Sequence, residues 1–162
     1  MKHLIAYCAI AVLTAGAVPT SQTIAAPALS GIRPGERVGA VQLGMTVQQV
    51  QQAIGAGPTA RDGNWLSWER QNLAVLFDRG VAVLIYTEDP NASTTEGVRL
   101  GSTDADLIKA FGAPLCSSLL EIEGKASLAW VYRGLFAFLG GIPRRVSGLA
   151  VLSTEAAQGS CR

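Results

Sequence analysis

The sequence has a single histidine, His3, and it lies in an N-terminal stretch with the form of a secretory leader. Met1-Lys2-His3 is a basic start, Leu4 to Val18 is an apolar run broken by Thr14 and Gly16, and small residues dominate through Ser30. The run is short for a spanning helix. Ala26-Pro27-Ala28 offers a small-x-small cut, so residues 1–28 are expected to be a signal peptide. Cys8 sits inside the apolar run behind the bulky Tyr7, which argues against a lipid-bearing cysteine.

Without the leader there is no histidine. Ser-His-Asp and Cys-His nucleophiles are thereby excluded, as are histidine-based zinc and iron sites. Loss of Lys2 from the thirteen basic residues leaves twelve against twelve acidic ones. No basic run survives, so nucleic acid has no electrostatic footprint here. The glycines, Gly140-Gly141 included, follow no phosphate-cradling pattern. No cofactor or metal is expected. Cys116 and Cys161 remain as an even pair, which an oxidising compartment should join into a disulfide. Export to the periplasm or the secreted space is the expected localisation, with no spanning segment after leader removal.

What the chain does have is a phrase used twice. Leu43-Gly44-Met45-Thr46 leads into Val47 to Gly55, and Leu100-Gly101-Ser102-Thr103 leads into Asp104 to Gly112. Leu43 and Leu100, Gly44 and Gly101, Val50 and Leu107, Ile54 and Phe111, Gly55 and Gly112 all correspond at an offset of 57. A repeat sets the architecture. Each copy reads as a short helix, capped by Thr46 with Gln49 and by Thr103 with Asp106, and stopped by glycine with a proline nearby. Val47, Val50 and Ile54 share a face in the first; Leu107, Ile108 and Phe111 do so in the second.

Strand-like runs follow each helix. In the first copy they are Asn64 to Arg70, Leu73 to Phe77 and Val81 to Thr87, with Asp78-Arg79-Gly80 as a tight hairpin connection. In the second they are Ser118 to Ile122, Ser127 to Tyr132, Leu135 to Leu139 and Val146 to Ser153. Short connections imply antiparallel pairing. The expected fold is α+β: two tandem α-β-β-β repeats forming one antiparallel sheet, with two short helices on one face. Residues 29–37 read as a lead-in without periodicity, and 38–162 as one domain of two repeats, 38–90 and 96–162.

The Leu-Gly-Met-Thr helix start, the closing Gly55 and Pro58, the aromatic strand and the Phe77-Asp78-Arg79-Gly80-Val81 hairpin resemble one superfamily. It contains the β-lactamase inhibitor proteins and the small outer-membrane-assembly lipoproteins of the SmpA/OmlA type. The tandem form, over about 38–153, is similar to the inhibitors, whose two α/β repeats share a sheet that grips an enzyme loop. The resemblance implies that fold and, more narrowly, inhibition of a secreted or envelope enzyme. The chain departs from both relatives. It lacks the lipoprotein cysteine, and none of its residues matches an inhibitor's enzyme-contacting loop.

The carboxylate pairs Asp104/Asp106 and Glu121/Glu123 are better read as a helix first turn and a solvated turn than as a hydrolytic pair. More telling, Leu73 to Phe77, Val81 to Tyr86 and Leu135 to Leu139 are apolar on both faces, where a one-sided sheet would alternate. Two helices on one face leave the other to the rest of the chain, a second subunit or a partner. Trp65, Trp68, Trp130 and Tyr132, with Arg70 and Arg133, are the residue types that dominate binding hot spots and are the candidate protein-contacting set. The expectation is an exported, non-catalytic protein-binding module, with a homodimer as one form of partnership. The alternative is a carrier of a small apolar ligand or lipid on the same face.

Overall fold

The computed structural model describes residues 31–122 and 125–161. The leader expected at 1–28 lies outside them, as do Glu123 and the side chain of Glu121. In chain order the elements are β1 (Ile32–Arg33), β2 (Arg37–Val38), β3 (Val41–Gln42), α1 (Val47–Ile54), β4 (Ala60–Asp62) and β5 (Trp65–Trp68). A 3-10 turn (Glu69–Gln71) leads to β6 (Leu73–Asp78) and β7 (Val81–Thr87). Then come α2 (Asp104–Phe111), β8 (Cys116–Ile122), β9 (Lys125–Tyr132), β10 (Leu135–Gly140), β11 (Arg145–Leu152) and α3 (Thr154–Gly159).

Both repeat helices begin at reciprocal caps. Thr46 Oγ1 accepts from the Gln49 amide while Gln49 Oε1 accepts from the Thr46 amide at 2.8 Å. Thr103 and Asp106 make the same exchange, with the Thr103 amide 2.8 Å from Asp106 Oδ2. Ahead of each helix the chain is pinned to the last strand of its own meander. The Gly44 amide donates to Ala82 O and the Gly101 amide to Val146 O, both at 2.8 Å. Gly55 closes α1 in the left-handed region; Gly112 closes α2 with positive φ but an extended ψ of −161°. Val50, Ile54 and Leu107 are the buried residues of these helices.

The expected single-sheet α+β arrangement is corrected by the observed topology. Among the described residues the protein is mostly β, with two sheets and three short helices. One sheet has eight antiparallel strands in the order β4-β5-β6-β7-β11-β10-β9-β8. Each helix of the repeat precedes a four-stranded meander, and the two meanders meet where β7 pairs with β11. The other sheet is β1-β2-β3, formed partly by the 29–37 segment expected to lack regular structure. Its strands are two residues long, too short to display a period, yet Ile32, Val38 and Val41 are fully buried. β4 went unread because all three of its residues are exposed.

Only one side of the large sheet carries α1, α2 and the small sheet, and there lies the main core: Leu66, Trp68, Val75, Ile85, Leu135, Leu149 and Val151 with the helix residues. A buried side chain of this kind contributes about 1.5–3 kcal/mol. The opposite side carries a smaller cluster of Ala129, Val131, Phe136, Phe138, Ala150 and Leu152, sealed by Ala157 of α3. That third helix was not expected. Both meanders carry a bulge at the same place, after Leu76 and after Phe138.

Candidate functional site

Strand parity fixes which side chains share a surface. At the matching turns of the two meanders Trp68 pairs with Leu73 and Tyr132 with Leu135. One step back along each strand, Ser67 faces Ala74 in the first meander and Val131 faces Phe136 in the second. The next pair on that face is Trp65 with Leu76, matched by Ala129 with Phe138. Across the seam Tyr86 pairs with Ala150.

The two meanders differ in what covers this face. In the second, Ala129, Val131, Phe136, Phe138, Ala150 and Leu152 are buried in one cluster with Ala157 of α3, against which Trp65, Leu84 and Tyr86 also pack; Cys116–Cys161 ties the end of α3 to the edge strand β8 (S–S 2.05 Å, Cα–Cα 5.7 Å). The expected disulfide is therefore present. In the first meander no element takes α3's place among the described residues. Trp65, Leu76, Leu84 and Tyr86 remain only partly buried, around a buried Ala74. Tyr86 reaches over the seam and meets Phe138 edge-on at 5.4 Å, and its hydroxyl donates to the Glu88 carboxylate. Ser67, Glu69, Asn72, Leu73, Ala74, Tyr86 and Glu88 line a depression of about 170 Å³. Glu69 and Glu88 are exposed on its rim, and neither forms an ion pair within the described residues.

The sequence-derived contact set does not form one patch. Trp65 lies on this open face. Trp68 lies on the opposite one, fully buried, its Nε1 donating to Ala56 O at 3.0 Å. Tyr132 is 4% exposed on the same side as Trp68 and stacks obliquely on Phe111 at 5.3 Å. Trp130, half-buried, packs against that core too. Trp68 and Tyr132 are thus core residues, and neither is available to a partner. Arg70 and Arg133 are exposed, Arg70 in the 3-10 turn beside the depression and Arg133 at the distant β9–β10 turn. Leu76, Leu84, Tyr86, Glu69 and Glu88 were not singled out. For Leu76, Leu84 and Tyr86 the signal is the lack of alternation in Leu73 to Phe77 and Val81 to Tyr86; Glu69 and Glu88 lie outside both runs.

Two polar groups stand out on the helix side. The Tyr132 hydroxyl is buried with no hydrogen-bond partner, beside a notch of about 220 Å³ lined by Pro34, Phe111, Ala113, Leu115, Arg133 and Leu135. Burial, and then the nearby Asp104 charge, push its pKa up to about 12. The hydrogen bonds from Thr103 hold Asp106 below the ordinary carboxylate value. Asp106 is thereby committed to its cap. No group of three His, Cys, Asp or Glu side chains that could hold a metal occurs among the described residues.

No protein-family profile matches the chain, and no curated protein matches it. Among solved structures, the crystal structure of the uncharacterized protein yfeY from Escherichia coli is similar over 76% of this chain and 97% of that one, at 14% identity and a TM-score of 0.47.

Proposed function

We propose that this chain is an exported, non-catalytic protein-binding module that docks its partner on the open face of the first meander. The observation that carries the reading is the asymmetry between the halves: Trp65, Leu76 and Tyr86 are only partly buried where their counterparts Ala129, Phe138 and Ala150 are buried, and Leu84 beside them is partly buried too. Large apolar side chains grouped in this way mark interaction surfaces. The disulfide supports an oxidising destination. The narrower form, inhibition of a secreted or envelope enzyme, follows from the resemblance of the repeat motifs to the inhibitor proteins.

A second reading, carriage of a small apolar ligand, draws on the notch beside the unpaired Tyr132 hydroxyl. Its volume of about 220 Å³ falls below the roughly 300–1,000 Å³ of typical ligand sites, so protein binding is preferred.

Capture from the native secreted and envelope fraction separates the two. Immobilised protein should retain a protein that the Trp65→Ala/Leu84→Ala variant does not retain. Capture that ignores this variant contradicts the reading. An apolar small molecule in the organic extract, displaced by Leu115→Trp, would favour the carrier.

A further inference from the structure

The open face has an internal template for its occupant. α3 lies over the end of the second meander where Val131, Phe136 and Leu152 converge, and it presents Ala157 to them. By strand pairing, the matching place in the first meander is Ser67, Ala74 and Glu88, which line the depression. The floor there is made of smaller side chains, Ser67 for Val131 and Ala74 for Phe136. The rim carries a carboxylate, Glu88, where the second meander has the buried Leu152. We infer that this depression receives a short amphipathic helix of a partner protein, with one large apolar side chain inward where α3 has alanine and a lysine or arginine between Glu69 and Glu88. The inference rests on the docking reading above and names the partner's chemistry.

Two arguments favour a helix from another protein. β5, β6 and β7 are each paired on both sides, so an incoming strand would find no free ladder groups at the depression. A helix satisfies its own backbone and can lie across the face. A second copy of this chain in an isologous contact would set two carboxylates, Glu69 and Glu88, and one cation, Arg70, against the same net-negative rim, which like-charge repulsion opposes.

The test places benzoylphenylalanine in the full-length chain in its own cells, in place of Arg70 on the rim or of Leu84 at the far end of the face. After irradiation, mass spectrometry maps the attached segment. The expected product at position 70 is a partner segment that is helical in its own protein, with a large apolar residue one turn from a lysine or arginine. Its yield should fall about tenfold in Glu69→Gln/Glu88→Gln, the loss expected for charge-assisted hydrogen bonds. A strand, a second copy of this chain, or a helix insensitive to the double Gln change would overturn the helix-and-cation inference while leaving docking intact, provided position 84 also captures protein. No product at either position would overturn both.

Discussion

Tyr86 lies directly over Gly148: a Cβ built on that glycine would stand 2.6 Å from the Tyr86 hydroxyl oxygen and 2.7 Å from its ring edge. The contact crosses the β7–β11 seam and fixes a ring of the open face against the other half. Gly148→Ala should displace Tyr86, break its edge contact with Phe138 and destabilise the fold by about 1–2 kcal/mol. Tyr86→Ala in the same background should abolish the alanine penalty. A double-mutant cycle in urea reads this coupling.

The two tryptophans of β5 should behave oppositely. Trp68 is fully buried and ties the loop after α1 to the sheet, so Trp68→Ala should cost about 3–5 kcal/mol. Trp65→Ala, on the open face, should cost under about 1.5 kcal/mol and act on partner capture instead. Equal losses of stability would mean that β5 is covered on both sides.

The disulfide holds α3 on the second meander and closes a separation of 45 residues. Chain entropy sets its removal in Cys116→Ser/Cys161→Ser at up to about 4 kcal/mol. The same change should raise hydrogen exchange in α3 and in the β9–β10 strands beneath it before the rest of the sheet. Uniform exchange would show that α3 is not separately anchored.

Acid should separate the two repeat helices. The N3 partner of Thr46 is the uncharged Gln49, whereas that of Thr103 is Asp106. A carboxylate whose folded-state pKa is lowered supports the fold above its unfolded value and loses that support as pH falls through the folded one. Residue-level exchange should therefore show α2 fraying before α1 below about pH 4. At neutral pH, Thr46→Ala and Thr103→Ala should cost about 1 kcal/mol each.

Tyr132 gives the alkaline counterpart. Its pKa of about 12 exceeds the unfolded tyrosine value, so stability is unaffected below about pH 10 and declines as pH climbs through 12. Tyr132→Phe removes a buried hydroxyl that has no partner, and should leave stability unchanged or raise it by about 1 kcal/mol. The variant should also lose the late ultraviolet titration step near pH 12.

Much of the scaffold was legible in the sequence because it is written in local chemistry. The caps at Thr46 and Thr103 announce α1 and α2, and Arg79-Gly80, both at positive φ, match the two-residue hairpin between Asp78 and Val81. The Cys116–Cys161 pair followed from count and compartment. What failed to show were pieces whose meaning is tertiary. β1 to β3 have no length over which to alternate, β4 is exposed throughout, and α3 has six residues and one buried alanine. For the site, the period of two correctly separates Trp65 from Trp68. Strands apolar on both faces give no hint of which face the helices take, and so the buried Trp68 and Tyr132 entered the candidate set while Leu84 and Tyr86 did not.

Docking on the open face of the first meander is open to a direct test. The most direct measurement is the affinity of the captured partner for wild type and for Trp65→Ala/Leu84→Ala, alongside each protein's thermal midpoint. Binding weakened by about 2 kcal/mol or more with the midpoint nearly unmoved is the predicted result. Unchanged affinity in a folded double variant would contradict it.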